Sequence, residues 1–444
     1  MKKAMQCFEE IKDDVEVLAN KIWSHPEIAL NEFYAVKLYR DYLEGQGFRV
    51  LPVEGLSTAL VAEYGSGHPI VGVLGEYDAL PGLSQKVSSK QEPVEEGGLG
   101  HGCGHNLLGA SAAVACVAVK KSMEESGLTG TVRFYGCPAE EIGKGKAIMN
   151  EKGVFDDLDA CLTWHPGPWN AVTASRLSAL MRAEFFFHGV GAHAGAHPEL
   201  GRSALDAVEL MNVGANYLRE HIPMGTRLHY IITNGGQVVN TVPEDASVQY
   251  VIRAPKSNIV HEVFDRLTKV ADGAAMMTET SVRVELQSDN YDTKNNMVLE
   301  DLMHEVYQEC GEIEFTQEEK KLAEELVKTL PESHYNNARS VYGVEKGIYL
   351  DGKPRPILGR NETFGASSDI GHVTYKVPTM QCSGTCFPLG VPLHSWQATA
   401  SAGSKFGVRG ARHMSKVLAC GLERLLLNEK QVLEKAKQEF LQDD

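Results

Sequence analysis

The chain has 444 residues, of which 43 are Lys or Arg and 59 are Asp or Glu, so its formal net charge at pH 7 is −16. This acidic balance argues against nucleic acids and anionic membranes as partners. The length exceeds what one ordinary hydrophobic core holds and predicts two domains. No segment is apolar over the length of a bilayer, and residues 1–10 lack the apolar run of a secretory signal. We therefore expect a cytoplasmic protein in which the nine cysteines remain reduced.

Helical and strand-like patterns alternate along the first part of the sequence. The predicted elements are helices over 4–24, 32–46 and 106–122 and strands over 58–64, 70–75, 131–135 and 160–164. A loop is expected between Gly82 and Gly100. This alternation predicts a largely parallel sheet flanked by helices, in which active sites gather where strands end.

The pattern changes near residue 180, where strands and helices follow one another in the order of a small α+β unit. The predicted elements there are strands over 182–189, 246–253 and 281–287 and helices over 203–219 and 258–276. We therefore predict an α/β fold in which the catalytic domain, residues 1–181 and 297–444, has a mostly parallel central sheet flanked by helices. Residues 182–296 form an inserted α+β domain.

A glycine-rich turn carries the first candidate for chemistry, in the segment His101-Gly102-Cys103-Gly104-His105. Glycines let the backbone fold tightly enough for Cys103 and His105 to face one ion. Thiolate and imidazole are ligands of zinc and related metals. The alternative is a structural turn in which the His caps the next helix and the Cys is simply buried.

Two adjacent carboxylates, Glu140 and Glu141, directly follow a predicted strand. Adjacent carboxylates repel each other unless a cation is near. One of them could bind metal while the other moves protons. An exposed acidic turn is the alternative interpretation.

Two histidines occupy similar positions elsewhere in the chain. His165 ends a predicted strand before Pro166, and His394 precedes a predicted helix. Either could be a structural residue held by hydrogen bonds. Four separate segments nevertheless place metal-binding side chains at the same kind of position, which indicates a shared metal site.

Together these segments resemble the amidohydrolase branch of the aminoacylase and carboxypeptidase-G metallopeptidase family. The resemblance runs from residue 25 to about residue 420 and depends on short motifs that occur in the family's order. The motifs are Gly75-Glu76-Tyr77-Asp78-Ala79-Leu80-Pro81, Gly100-His101-Gly102-Cys103-Gly104-His105-Asn106, Pro138-Ala139-Glu140-Glu141, Trp164-His165-Pro166, Gly191-Ala192-His193-Ala194, Gly235-Gly236-Gln237-Val238-Val239-Asn240, Ser367-Ser368-Asp369 and Pro392-Leu393-His394-Ser395-Trp396.

The resemblance implies metal-dependent hydrolysis of an amide bond in an N-acyl amino acid such as p-aminobenzoyl-glutamate. It implies two divalent ions per subunit, Zn or Mn, with the ligands Cys103, His105, Glu141, His165 and His394. It also implies that Glu140 is the general base. Other members of the family place a metal-binding His where this chain has Tyr77, so Cys103 would compensate for that ligand.

The resemblance further implies that the inserted domain is a lid that forms a homodimer, so that His193 serves the active site of its own or the partner subunit. Asp78 would support the catalytic residues. Asn240 and Arg253 are candidates to hold the substrate's carboxylate, since the planar fork of Arg can bind both oxygens. The alternative for Arg253 is an exposed strand residue paired with acids of the lid.

Three further alternatives remain open at this point. The protein could be a dipeptidase that acts on an unusual dipeptide, or a non-catalytic binding subunit of the same fold. It could also be one part of a hetero-oligomer. Cys382 and Cys386 could form a redox or metal pair, although two buried core thiols fit their position beside a strand better.

Overall fold

The computed structural model describes residues 3–360 and 362–442, and the chain divides into two compact units. The first unit comprises Met1–Ser175, Lys294–Glu362 and His372–Asp444. The second unit comprises Arg176–Thr293 and Thr363–Gly371. Within the described ranges, no helix has the length and apolar character needed to cross a membrane.

Helices and strands alternate along most of the described chain. The helices are α1 (Lys3–Ile11), α2 (Asp13–Trp23), α3 (Phe33–Gly45), α4 (His105–Ser126), α5 (Gly145–Glu151), α6 (Ala204–Leu218), α7 (Ser257–Thr278), α8 (Met297–Cys310), α9 (Gln317–Val327), α10 (Glu332–Ser340), α11 (Ile370–Thr374), α12 (Trp396–Ala402), α13 (Lys405–Leu427) and α14 (Val432–Gln442). The strands are β1 (Arg49–Val53), β2 (Leu56–Ser66), β3 (Ile70–Glu76), β4 (Gly130–Cys137), β5 (Ala160–Gly167), β6 (Ala171–Thr173), β7 (Arg176–Leu177), β8 (Ala179–His188), β9 (Ala192–His193), β10 (Arg227–Asn234), β11 (Thr241–Val242), β12 (Asp245–Ala254), β13 (Ser281–Asn290), β14 (Thr363–Phe364) and β15 (Thr379–Thr385).

The first unit is built on one sheet with the strand order β1-β2-β4-β3-β5-β15-β6. The central pairs β4/β3, β3/β5 and β5/β15 are parallel, whereas the pairs towards the edges are antiparallel. Every residue of β3 is buried, as expected of a central strand with both faces covered. The predicted fold class, a mostly parallel sheet flanked by helices, is confirmed.

Helix α4 packs closely on β3 because small residues line it. A Cβ atom added to Gly109 would lie 2.6 Å from the carbonyl oxygen of Glu76 and 2.5 Å from the hydroxyl of Tyr39. Almost the whole of α4 is buried, so its first residue, His105, is fixed beside the end of β3. The packing of α4 thus positions a residue that the sequence predicts to be a metal ligand.

The second unit has an antiparallel sheet in the order β10-β12-β8-β13, and helices α6 and α7 pack against it. Buried and more exposed residues alternate along β8, so one face of the sheet forms the core with the helices. Phe185, Phe187 and Val248 contribute to that core.

The cysteines of the first unit are free, and Cys382 and Cys386 are buried among apolar residues. Cys382 lies on β15, where its thiol faces the sulfur of Met380. Neither belongs to a group of potential metal ligands in the described chain. They are core thiols, the interpretation that the sequence favoured.

Candidate metal centre

Polar side chains gather at the carboxyl edge of the parallel strands in the first unit. Parallel strands end at the same edge of a sheet, so loops distant in the sequence meet there. Four strand ends supply the side chains described below: Glu76 ends β3, Glu140 and Glu141 follow β4, His165 lies near the end of β5, and His394 follows β15.

Cys103, His105 and His165 form one group of potential ligands, with ligand atoms all within 4.8 Å of one another. The thiol sulfur of Cys103 lies 3.3 Å from Nε2 of His165. The other ring nitrogen of His165, Nδ1, lies 2.8 Å from the carbonyl oxygen of Pro166. Donation to this carbonyl places the ring proton on Nδ1 and leaves Nε2 free to bind a cation.

Cys103 also belongs to a second group, with Glu141 and His394. Nε2 of His394 lies 3.3 Å from a carboxylate oxygen of Glu141. The backbone N–H of His394 donates to the carbonyl of Gly102 over 2.9 Å, which ties its loop to the glycine-rich turn. His394 has a φ of 57°, a left-handed conformation that costs a non-glycine residue about 1–3 kcal/mol and is found most often at functional sites.

Asp78 connects two of these candidate ligands. One carboxylate oxygen lies 2.9 Å from Nδ1 of His105, and the other accepts the backbone N–H of Glu141 over 2.9 Å. Burial opposes ionisation of Asp78, but these hydrogen bonds and the neighbouring His105 lower its pKa overall. Asp78 therefore acts as an ionised clamp that orients its neighbours.

Glu140 lies near the ring of His105, at the start of a short 3-10 helix over Glu140–Ile142. Its carboxylate is 3.9 Å from Nε2 of His105, and the two residues form a third group of potential ligands together with Glu76. Ala139, just before it, has a φ of 56° and donates its N–H to the buried carboxylate of Glu32 over 2.7 Å. The backbone that aims Glu140 is therefore held in an unfavourable conformation by a buried side chain.

The sequence analysis assigned no role to Glu76 and placed the departure from the family pattern at Tyr77 instead. Tyr77 is buried away from these groups, and its hydroxyl donates to the carbonyl of Thr58 over 2.5 Å. Consecutive residues of an extended chain point to opposite sides, so the residue that faces the site is Glu76. Its position in a quoted motif, two residues before Asp78, was the available signal. The expectation for Tyr77 is thus corrected.

The donors present fit a pair of divalent cations. Nε2 of His105 and one carboxylate oxygen of Glu141 are buried without a hydrogen-bond partner in the part of the chain that the structure describes. Buried polar atoms left in this state are costly, and a cation would satisfy both. Burial raises the pKa of Glu141 to about 7 and also raises the pKa of the Cys103 thiol. A cation reverses this effect by stabilising the ionised ligands.

His101 and Asn106 lie beside the candidate ligands but serve the surrounding structure. His101 is buried, with Nε2 3.3 Å from the carbonyl oxygen of Ile22, and it belongs to none of the three ligand groups among the described residues. The side-chain amide of Asn106 donates to the carbonyls of Ala19 and Ala402. Both residues anchor the glycine-rich turn to neighbouring helices.

The remaining predicted site residues, His193, Asn240 and Arg253, belong to the second unit. His193 on β9 pairs with Thr241 on β11, and the N–H of Ala194 donates to the carbonyl of Asn240 over 3.0 Å. His193 and Asn240 are therefore neighbours on an exposed part of that unit.

Arg253 lies on β12 and is half-buried. It donates to the hydroxyl of Ser367 over 3.0 Å and to the carbonyl of Gly365 over 3.4 Å. No carboxylate within the described ranges pairs with it. The alternative of an exposed arginine paired with acids of the lid is therefore wrong.

Comparison with known proteins agrees with the resemblance seen in the motifs. Residues 72–386 match Peptidase family M20/M25/M40. One of the two subunits of the p-aminobenzoyl-glutamate hydrolase of Escherichia coli (strain K12) is 40% identical over 440 residues, covering 96% of this chain and 91% of that protein. The Xaa-Arg dipeptidase of Mus musculus is 29% identical over 433 residues, covering 94% of this chain and 87% of that protein.

The fold also matches a solved structure. The crystal structure of a dinuclear metal-binding peptidase of the M20 family from Bacillus subtilis superposes with a TM-score of 0.58 at 17% identity. The match covers 94% of this chain and 99% of that chain and supports the fold alone. On the family match and the identity to its hydrolases, the chain belongs to Peptidase family M20/M25/M40 and is a metal-dependent hydrolase that acts on amide bonds.

Proposed function

We propose that the protein hydrolyses the amide bond of an N-acyl amino acid such as p-aminobenzoyl-glutamate at a centre of two divalent ions, Zn or Mn. The observation that carries the proposal is the position of Cys103, which belongs to two of the ligand groups and lies beside Glu140. The residues that would hold the ions are Cys103, His105, Glu141, His165 and His394. The likeness to the E. coli hydrolase supports the choice of substrate.

The divalent ions would lower the pKa of the attacking water and polarise the substrate carbonyl. Glu140 would take the proton of that water and pass it to the leaving amine, the task of a general base that then acts as an acid. Asp78 would keep the ring of His105 in one orientation and one tautomer throughout. None of these steps requires a covalent intermediate with the protein.

The second unit would supply contacts to the substrate as a lid. Nδ1 of His193 accepts the backbone N–H groups of Gly195 and Ala196, over 3.2 Å and 3.0 Å. The proton of the neutral ring therefore sits on Nε2, which can donate to the oxyanion that forms on the carbonyl. We propose that Asn240 and Arg253 bind the carboxylate of the substrate.

A dipeptidase is the second candidate, favoured by the likeness to the Xaa-Arg dipeptidase of Mus musculus. The arginines of the second unit support an acidic substrate instead. Arg182 lies opposite Val251 in the β8/β12 pairing and so shares a sheet face with Arg253. Neither arginine has a carboxylate partner among the described residues. Two such guanidinium groups favour a glutamate side of the substrate over an arginine.

We also propose a homodimer formed through the second unit. A hetero-oligomer is the alternative, because the E. coli relative is one subunit of a hydrolase that has two. Strand β10 pairs only with β12 among the described elements, so its other edge is open. Ile231 and Ile232 on that strand are exposed, 61% and 44% respectively. An open edge with apolar side chains can pair with a second copy. A cytoplasmic location stays a prediction.

The test combines metal analysis of the purified protein with a hydrolysis screen over acyl-glutamates and Xaa-Arg dipeptides. We expect about two divalent ions per chain, restored activity when metal returns to the metal-free protein, and a preference for acyl-glutamates. Glu140→Gln should lower kcat by at least about 100-fold and keep the ions bound. Preference for Xaa-Arg substrates would favour the dipeptidase. A protein that no metal activates on any substrate would overturn the proposal.

A further inference from the structure

Glu76 is a carboxylate at the candidate metal centre that the proposed ligand set does not use. It ends β3, is buried, and places one oxygen 3.2 Å from Nε2 of His105. That nitrogen has no hydrogen-bond partner of acceptable geometry in the described structure, although the carboxylate is this close. The lone pair of Nε2 and the oxygen of Glu76 therefore border a common space without bonding to each other.

The spacing between these two atoms is that of two ligands on one ion. Zinc lies about 2.0–2.2 Å from nitrogen and oxygen ligands, so two such ligands at tetrahedral or octahedral angles are about 3.0–3.4 Å apart. The pair of Glu76 and His105 falls within this range at 3.2 Å. The pair of His394 and Glu141 is separated by a similar 3.3 Å.

Lys146 pairs with the other oxygen of Glu76. Its ammonium nitrogen lies 2.6 Å from that oxygen, and its side chain is fully buried. Gly145 makes this burial possible, because a Cβ atom there would lie only 1.7 Å from the carbonyl oxygen of Pro138. Helix α5 can therefore begin directly against the turn before Glu140, and Lys146 enters the interior beside β3.

The charges of the site balance only when Lys146 is counted. The ligand groups and Asp78 together carry five groups that can be anionic, namely Cys103, Glu76, Asp78, Glu140 and Glu141. Two divalent cations supply four positive charges, and Lys146 supplies the fifth. Charges buried in protein are stable only when they are paired in this way.

We propose that Glu76 is an additional carboxylate donor to the cation bound through His105, and that Lys146 is the positioning residue that orients Glu76 and neutralises the excess negative charge. The inference rests on the proposed metal centre and assigns it one more donor. It gives the ion on His105 an oxygen ligand from β3, in addition to those from the loops. Lys146 acts through Glu76 and touches no reacting atom.

The test measures the affinity of the metal-free protein for Co²⁺, which reports binding through its visible absorption and needs no substrate. Glu76→Gln keeps the shape of the side chain and removes its charge. We expect it to weaken the binding of one of the two ions about 10–100-fold and to change the cobalt spectrum. Lys152→Met, an exposed lysine at the end of the same helix α5, is the matched control and should leave both unchanged.

The double variant Glu76→Gln/Lys146→Met separates a donor from a structural salt bridge. Removal of both charges relieves the unpaired buried lysine, so we expect the melting temperature of the metal-free protein to recover from that of Glu76→Gln. Metal affinity should stay low, because the carboxylate beside His105 is still missing. Recovery of both quantities would overturn the inference.

The outcome for the native protein distinguishes this inference from the proposed function. Binding of two Co²⁺ ions that Glu76→Gln leaves unchanged would overturn the role of Glu76 and leave the metal centre standing. Failure of the native protein to bind Co²⁺ would overturn both.

Discussion

The Oδ1 atom of Asp78 lies 2.9 Å from Nδ1 of His105, with both side chains fully enclosed by protein. This contact fixes which ring nitrogen of His105 is available, because Nδ1 donates to Asp78 and Nε2 is left as the acceptor. The second oxygen of Asp78 accepts the N–H of Glu141. One buried carboxylate therefore arranges ligands from two separate loops.

Asp78→Asn should weaken metal binding although Asp78 is not itself a ligand. The amide can offer its N–H group to His105, which would force the ring proton onto Nε2 and block the ligand lone pair. We expect the metal affinity to fall about 10–100-fold, the usual effect of removing such a partner. Competition with a chelator measures it, and Asp41→Asn, on the exposed side of α3, serves as the control. Native affinity in Asp78→Asn would show that the contact does not set the tautomer.

The sequence placed much of this site correctly in structural terms. Glu141, His165 and His394 were chosen because each follows or ends a strand, and parallel strands bring their carboxyl ends together. The pattern of alternating elements also predicted the sheet. These inferences depend on local sequence and on one general rule of topology.

The environment of the ligands could not be predicted in the same way. Lys146 lies in a polar, glycine-rich segment typical of an exposed helix start, and its burial follows from the tertiary contact of Gly145 with Pro138. Strand β10 was not predicted either, because most of its residues are exposed and it lacks a regular apolar alternation. Burial set by contacts distant in sequence leaves little local signal.

Mixed dimers test the proposed role of His193 across subunits. A hybrid of one His193→Ala subunit and one Glu140→Ala subunit has one intact site if His193 acts on the partner, and none if it acts within its own subunit. We expect hybrids purified through two different tags to recover about half of the native activity, with both homodimers inactive. His197→Ala, on the same exposed loop, should be active in every combination. Inactive hybrids would place His193 in its own subunit's site.

Gly109→Ala should destabilise the first unit. The added methyl group would overlap the carbonyl of Glu76, which cannot move without displacing the end of β3. Overpacking of this kind costs about 1–3 kcal/mol of unfolding free energy. Because His105 begins the same helix, metal affinity should also fall. Chemical unfolding and metal titration measure the two effects.

Gly45→Ala is the matched control for that experiment. Gly45 ends α3 and has nothing within 4 Å of an added Cβ atom. Alanine should raise the unfolding free energy by about 0.5–1 kcal/mol, since glycine is the more flexible residue in the unfolded chain. Equal effects of the two substitutions would contradict the packing argument.

His413 should make the first unit sensitive to acid. It is buried in α13, where burial and the neighbouring Lys416 lower its pKa to about 3, from a usual value near 6.5. The unfolded chain therefore binds a proton below about pH 6.5 that the folded chain refuses until about pH 3. The neutral ring contributes stability that is complete above pH 6.5 and is lost progressively as the pH falls towards 3.

His413→Gln should therefore flatten the pH dependence of stability. One such group changes the unfolding free energy by about 1.4 kcal/mol per pH unit, so the native protein should lose up to about 2 kcal/mol more than the variant between pH 6.5 and 5. Urea unfolding of the metal-free protein, followed by tryptophan fluorescence, measures this loss. Trp23, Trp164, Trp169 and Trp396 all belong to the first unit and so report its unfolding. His334→Gln, at an exposed position on α10, should keep the native slope, and an unchanged slope in His413→Gln would show that the ring is not held neutral.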